Sequence, residues 1–528
     1  MTGFGRAWSV GLLGLRGTPV EVEAHAASGL PKFTLIGLPD SVLNEARDRV
    51  RAAVLNSGID WPQAILTVSL SPAWIRKQGS GFDLAIAYAV LRATGAVRQS
   101  KLHDAVFLAE LGLDGRVKPI RGVLPCVMAA ARTGHGPIFV AEANAAEAAQ
   151  VTGVEVTGLR SLRQLVALAN GEPIPGEPPG FLPPSAENLP SDGPAVEEPD
   201  FEPDLSEVVG QYEARRALEL SAAGGHHLFL CGTPGAGKTM LAKRLPGILP
   251  PLDNEAALEV SAIHSLSGTL PPGRPLITRP PFCTIHHSAT VASMVGGGSG
   301  HLRPGAVSRA HRGVLFLDEM PEFSRTALDA LREPIESGEV AIARVSGIAH
   351  FPASFLLVGA ANPCPCGRAG SALAACTCAP RQRIAYLARI SGPLLDRIDL
   401  RVDVTPVGPG ELLDAASGGQ GGECTAAVAQ RVAEARERAV RRLVDTPWQC
   451  NAQVPGQVLR NSWPLAIDAL ATAERALRAG TLSARGLDRV IRVAWTVADL
   501  AGADRPDRVA VDTALGFRLG SVALASGC

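Results

Sequence analysis

Hydrophobic residues recur along this chain with different rhythms, and the changes of rhythm mark out its parts. In residues 1 to 170 the alternating runs Val20-Glu21-Val22-Glu23 and Phe33-Thr34-Leu35-Ile36, with Ala64 to Leu70, predict strands. Residues 40 to 57, Gly81 to Ala93 and Leu124 to Arg132 read as helices, set among further strands at Val106-Phe107-Leu108 and Pro137 to Val140. The mixture predicts a compact α/β or α+β domain. From residue 205 the pattern changes. HLFLC (227–231), VLFL (314–317) and FLLVGAA (355–361) are continuously apolar, as strands buried on both faces of a parallel sheet are. A turn over Leu205 to Gly210 leads into a helix from Gln211, and Glu322 to Glu336 reads as another, so 205–405 is predicted to be an α/β core. After a glycine-rich connector at 406–424, residues 425 to 446, 463 to 479 and 483 to 501 carry apolar positions at helical spacing. Residues 425–528 are therefore predicted to be a helical domain.

The stretch 171–204 fits neither rhythm. It holds ten prolines and nine acidic residues with no Lys or Arg, so it cannot bury a core and is predicted to be an extended spacer. At 528 residues the chain exceeds one ordinary core, and 46% hydrophobic with 19% charged residues describes a globular protein. The net charge of −1 gives no overall attraction to nucleic acid, so any such binding must come from local patches. No run of about 18 apolar residues is present and the first residues lack a signal-peptide layout. A cytoplasmic protein with no membrane partner is expected, whose ten cysteines serve as thiols or metal ligands rather than disulfides.

The chemistry concentrates where the first apolar strand ends. Gly232-Thr233-Pro234-Gly235-Ala236-Gly237-Lys238-Thr239, followed by Met240, is a full G-x-x-x-x-G-K-T pattern between a strand and a helix. Its glycines let the backbone N–H groups curl inward around phosphates. Lys238 would meet the β and γ phosphates, and Thr239 would place a hydroxyl on Mg²⁺. The run ending in Asp318-Glu319 predicts a neighbouring strand, with Asp318 holding the Mg²⁺ through water and Glu319 polarising the attacking water. Asn362, ending FLLVGAA, is placed to hydrogen-bond that water or the γ-phosphate, or else simply starts a turn before Pro363. Cys364, Cys366, Cys376 and Cys378 are spaced as a closed thiolate Zn²⁺ site or as free thiols. The adjacent His286 and His287 would point to opposite faces if on a strand, which argues against a metal there.

Several stretches resemble the ComM/YifB family of magnesium-chelatase-like AAA+ ATPases, which carry a Lon-protease-like domain in front. They are GLPKFTLIGLPD (29–40), KQGSGFDLAIA (77–87) and ELGLDGRVKPIRGVLP (110–125). The front domain is thereby identified as Lon-like and α+β. Aligned on the Lon pattern, however, the nucleophile position falls on Gly81 and the lysine position near Leu124. A serine without a base is a poor nucleophile. Ser80 with Lys77 or Lys118 would be a shifted dyad, and a structural or DNA-facing module is the favoured reading. In the core, Val209-Gly210-Gln211 resembles the V-G-Q segment beside the adenine of AAA+ proteins, which implies ATP. The long insertion 250–313, with its two histidines, Gly296-Gly297-Gly298-Ser299-Gly300 and Arg303-Pro304-Gly305, reads as a flexible hairpin and resembles PHH…GGG…RPGEISLAH. Ala306 and Arg309 depart from that pattern.

The resemblance makes Asn362 the first sensor and Arg397, in LLDRID, an arginine finger given to a neighbouring subunit; an ordinary charge network around Asp396 and Asp399 is the alternative. Residues 483–501 resemble a C-terminal lid, with Ser483, Arg485, Arg489 and Arg492 in place and Trp495 where an arginine is usual. Arg485 is then the second sensor, reaching the nucleotide from the lid. The arginine-dense helix with Arg431, Arg436, Arg438, Arg441 and Arg442 reads by default as a solvated face, and otherwise as a DNA contact. The family implies a homo-hexameric ATP-driven motor on single-stranded and on branched or double-stranded DNA, promoting branch migration in natural transformation or recombination. A chelatase-type motor inserting a metal with partner subunits, and a Lon-like ATP-dependent protease, are the alternatives.

Overall fold

A computed structural model describes residues 3–37, 40–72, 79–98, 102, 104–178, 203–271, 273–298, 302–344, 347–370, 375–408, 410–411, 413 and 422–520. Most of the spacer at 171–204, much of the connector at 406–424, Lys77, Ser299 and Gly300 lie outside these residues.

In the first 170 residues a mixed sheet of seven strands forms, in the order Lys32–Ile36, Ile65–Ser71, Arg16–Ala27, Gly3–Leu13, Val106–Leu108, Ile138–Ala141, Val156–Leu159. Gly3–Leu13 and Arg16–Ala27 pair as one long antiparallel hairpin, and the last three strands run parallel to its first arm. The alternation read at Val20–Glu23 puts Val20 and Val22 wholly inside. Helix Asp83–Ala93, apolar nearly all round, is buried along its length across the hairpin. That approach needs glycine in the strand, because a Cβ on Gly5 would stand 2.1 Å from the Ala89 carbonyl oxygen.

The continuously apolar strands form a second, all-parallel sheet. Its order is Phe282–Ile285, Val314–Leu317, Leu356–Ala361, Leu228–Gly232, Leu400–Val404. Helices cover both faces, and the carboxyl ends of all five strands share one edge, where ligands of such sheets bind. This is an α/β architecture. Residues 322–336 are not one helix as expected. Two short helices, Arg325–Asp329 and Arg332–Ser337, follow a turn at Met320–Glu322, because Ser324 caps Ala327 N–H and restarts the chain.

Helices Thr425–Arg442, Gly456–Ser462, Ala471–Arg478, Ala484–Ala501 and Arg508–Leu519 follow. Ala484–Ala501 is the most buried of them and packs on Tyr212–Gly224, Thr425–Arg442 and Arg508–Leu519. The first unit meets the core through helix Asn254–Ser267. Its Leu258 and Ala262 share an apolar cluster with Val123, Val127 and Ala130 of helix Val123–Arg132, and Gly122 N–H donates to Ser265 O at 3.2 Å. No helix of the described residues is long and apolar enough to cross a membrane.

Candidate functional site

Strand Leu228–Gly232 is buried up to its last residue, and the chain then turns through Gly235 (φ 78°) and Gly237 (φ 94°) into helix Lys238–Ile248. Both angles lie in the left-handed region that glycine alone enters freely. The turn leaves the first N–H groups of the helix unpaired at the sheet edge, an anion site by construction. The Lys238 ammonium donates to Gly232 O at 2.6 Å, Thr233 O at 3.1 Å and Asn362 Oδ1 at 3.1 Å. Burial pushes the Lys238 pKa down, and the charges of Asp318, Cys231 and Glu319 oppose that shift. Thr239 Oγ1 donates to Asp318 Oδ2 at 2.8 Å. Four predicted residues from three strand ends thus converge: Lys238, Thr239, Asp318 and Asn362.

Gln211 joins them from outside the sheet. It takes φ 52°, and its Nε2 donates to Ala236 O at 3.1 Å and to Thr405 O, tying the glycine turn to the neighbouring strand. Glu319 is also left-handed, at φ 50°, directly after Asp318, whose Oδ1 accepts its N–H at 2.9 Å. Among the described residues three non-glycine residues have positive φ, and two of them stand at this edge, where backbone strain of about 1–3 kcal/mol each is commonly held for function.

His287 was not foreseen here. Its Nδ1 lies 3.5 Å from Glu319 Oε2, and the His286 and His287 rings sit 4.0 Å apart rather than on opposite faces. The strand ends at Ile285, so the alternation that would have separated them no longer applies. The signal was available: FCTI is an apolar run ending in polar residues, like the strands beside it. The glycine hairpin expected in this insertion forms at Gly296–Gly297 against Arg303–Pro304, but its end is core, with Ala306 and Val307 wholly buried.

Arg397 stands elsewhere. Leu400–Val404 runs parallel to Leu228–Gly232 with Leu400 beside Leu228, so Arg397 precedes the strand at the edge opposite the glycine turn. The five residues of each strand, a rise of roughly 13 Å, separate those edges. Its guanidinium pairs with Glu336 and donates to Pro393 O at 2.7 Å, in a surface pocket lined also by Asp329, Arg332 and Glu333. Arg485 is exposed in the first turn of helix Ala484–Ala501, and no described contact joins it to Lys238. That helix is anchored at the far edge. Arg489 donates to Arg397 O at 3.0 Å and pairs with Asp399, and Thr496 hydrogen-bonds His226 Nε2 at 2.7 Å.

The cysteines converge. All four Sγ atoms of Cys364, Cys366, Cys376 and Cys378 lie within 4.8 Å of one another, and three of the separations are 3.4, 3.6 and 3.7 Å. A tetrahedron of sulfurs about 2.3 Å from a zinc ion has edges of about 3.8 Å, so the donor set fits a thiolate-bound metal. Ala369 N–H donates to Cys364 Sγ at 3.3 Å, the outer hydrogen bonding that such thiolates take.

Residues 204–412 match the family described as magnesium chelatase, subunit ChlI, residues 22–144 match subunit ChlI of Mg-chelatase, and residues 422–518 match its C-terminal part. An uncharacterized protein of Mycobacterium tuberculosis is 50% identical over 514 residues, 97% of this chain and 98% of its own. The uncharacterized protein YifB of Escherichia coli is 39% identical over 96% of this chain and 95% of its own, and competence protein ComM of Haemophilus influenzae 37% over 96% of each. The chain belongs to the ComM/YifB family of magnesium-chelatase-like proteins. As a member of that family it has the sheet and phosphate turn of an AAA+ ATPase.

In this ComM/YifB-family chain the arginine-dense helix is solvated only in part: the side chains of Arg431 and Arg438 are 38% exposed, and that of Arg442 14%. Arg436 donates to Ala222 O, Arg438 to Asp499 O and Arg442 to Asp499 and Asn451, while Arg431 pairs with Glu219 and Glu423. Carboxylates and helix-end carbonyls of two packed helices draw them inward, leaving Arg441 exposed. Trp495, where an arginine was expected, is buried under the Arg442 guanidinium at 4.3 Å. In the front unit, Ser80 Oγ donates to the Glu110 carboxylate, and Lys118 is the cross-strand partner of Glu110.

Proposed function

We propose that this protein is an ATP-driven motor on DNA, a homo-hexamer whose hydrolytic sites lie between protomers, promoting branch migration in recombination or natural transformation. The carrying observation is the split of its polar groups: Lys238, Thr239, Asp318 and Asn362 meet at one edge of the sheet, and Arg397 stands at the other. An arginine so placed has no role at its own phosphate turn, and full use of it requires a neighbour arranged head to tail, an arrangement that forms a ring where the rotation closes. The DNA substrate is supported by the relative named competence protein ComM, alike over nearly the whole chain.

In this reading the N–H groups of Gly235 to Thr239 and the Met240 segment cradle the phosphates, and Lys238 leaves its carbonyl partners for them. Thr239 and Asp318 would hold Mg²⁺, which supplies positive charge on the phosphate oxygens. Glu319 takes the proton of the attacking water, and His287 orients the Glu319 carboxylate. Asn362 donates to the γ-phosphate from its amide, and Arg397 of one protomer stabilises the charge that develops in the next. Arg485, exposed in the first turn of its helix, is the second sensor, reaching a nucleotide from the lid. The cysteine cluster takes structural Zn²⁺, since four thiolates leave no open position for catalysis. In this reading the chain is organised as a non-proteolytic Lon-like domain at 1–170, a spacer at 171–204, the AAA+ core at 205–405, the connector at 406–424 and a helical lid at 425–528, in the cytoplasm. Ser80 Oγ donates to Glu110, whose cross-strand partner is Lys118, so the shifted dyad of Ser80 with Lys118 has no support here.

ATPase turnover is measured with forked duplex, single-stranded DNA, a porphyrin with its partner subunits, and unfolded polypeptide. Stimulation by forked DNA is expected. Stimulation by porphyrin or polypeptide alone would replace this reading with a chelatase-type motor or a protease.

A further inference from the structure

The hydrolytic roles above do not use the contact between the cysteine turn and the phosphate turn. Strand Leu356–Ala361 delivers Asn362, then Pro363 and the wholly buried Cys364. Gly367 N–H closes the turn on Cys364 O at 2.9 Å, and Gly367 takes φ 73°. A Cβ at Gly367 would come within 2.6 Å of Pro234 Cγ, so the backbone of the cysteine turn rests directly on the proline in the middle of the phosphate turn. Two residues before Cys364, Asn362 accepts from Lys238 at 3.1 Å. The cysteine turn therefore touches the phosphate turn at both Pro234 and Lys238.

Its own shape depends on sulfur. Cys364 and Cys366 lie within the turn, while Cys376 and Cys378 come from the stretch just before helix Pro380–Leu387; Cys376 closes over the turn at 3.6–3.7 Å and Cys378 lies within 4.8 Å of all three. Thiols hydrogen-bond weakly, so four of them alone give the turn little rigidity. A shared cation would fix all four positions, and with them Asn362 and Gly367.

We propose that a metal ion bound by Cys364, Cys366, Cys376 and Cys378 buttresses the phosphate turn through Gly367 and Asn362, so that metal occupancy sets the affinity for nucleotide. This rests on the zinc reading given above. A polar contact and a van der Waals contact, both on residues of the phosphate turn, transmit the effect.

The full-length protein is assayed for bound zinc by elemental analysis. Binding of a fluorescent ATP analogue is then measured before chelation, after chelation, and after adding Zn²⁺ back. Stoichiometric zinc is expected. Its release should weaken nucleotide binding about tenfold, the factor that one hydrogen bond to a charged group commands, and re-addition should restore it. Gly367→Ala should keep its zinc yet bind nucleotide more weakly, because the new methyl group displaces Pro234. If the protein neither contains nor takes up zinc, the zinc reading fails and the buttress with it. If zinc is bound and its release leaves nucleotide affinity within about twofold, or if Gly367→Ala binds like the parent, the buttress alone is wrong.

Discussion

Replacing Arg397 by Ala distinguishes a finger given to a neighbour from a charge that merely sits on the surface. In its own protomer the guanidinium is at least roughly 13 Å of strand from the phosphate turn. At that distance two unit charges interact by about 1.3 kcal/mol at an effective dielectric of 20, and salt screens them further, so removal costs less than about tenfold in rate. Supplied across a junction, the same group is worth on the order of 10³ or more. The Arg397 side chain is 15% exposed and that of its partner Glu336 64%, so the folding of the variant is checked by thermal unfolding beside the rates. The assay is steady-state ATP hydrolysis by Arg397→Ala, by Lys238→Ala, and by mixtures of the two. Each variant alone should be inactive by at least about 10³-fold, and mixing should restore part of the rate, since some junctions then pair an intact Arg397 with an intact Lys238. A loss below about tenfold, or no recovery on mixing, would refute the shared site.

Glu319→Gln should keep nucleotide binding and lose at least about 10²-fold in turnover, read by comparing analogue affinity with kcat, because it retains the shape but not the base. Asp318→Asn should weaken the Mg²⁺ dependence of hydrolysis, seen as a higher Mg²⁺ concentration at half-maximal rate. Acid should destabilise the fold through two buried histidines. Burial pushes His227 down to about 4, aided by the charges of Arg489 and His226 and opposed by Asp399; burial likewise pushes His264 down to about 4. The unfolded chain binds these protons near pH 6.5 and the folded chain does not. Their contribution, roughly 3 kcal/mol each, is therefore full above pH 6.5 and lost as pH falls toward 4. Urea midpoints at pH 7.5 and 4.5 test it, and His227→Gln should flatten the difference.

The phosphate turn and the strands beside it were legible because motif, hydrophobic run and strand-to-helix context agree at Gly232–Thr239, and a parallel sheet leaves little choice about where such strands end. Asp318 and Asn362 followed for the same reason. His287 was missed because the strand carrying it is only Phe282–Ile285, too short for its alternation to say where the next two side chains point. The arginines of Thr425–Arg442 were read only in part because a helix pattern reveals which positions are apolar but not which carboxylates a distant segment brings to the polar ones. Glu219 lies 212 residues from Arg431 in the chain. Arg485 was assigned as second sensor from the resemblance of residues 483–501 to a lid, and such a resemblance does not say which sheet edge the helix is docked on. That docking is decided by Asp399, whose carboxyl, though pushed up by burial, is held far below the usual range by Arg489 and His226.

Helix Asn254–Ser267 gives one side to the apolar cluster of the first unit, and it ties into the core where His264 Nε2 meets Arg309 O at 3.0 Å and Ile277 N–H donates to Ser261 Oγ at 2.8 Å. A protease cut anywhere between residues 179 and 202 would sever the covalent tether without separating what it joined. The two fragments should co-elute as one particle. Deleting the first 170 residues is a different operation, for it strips the cover from Leu258 and Ala262 and should turn a well-behaved protein into a sticky one.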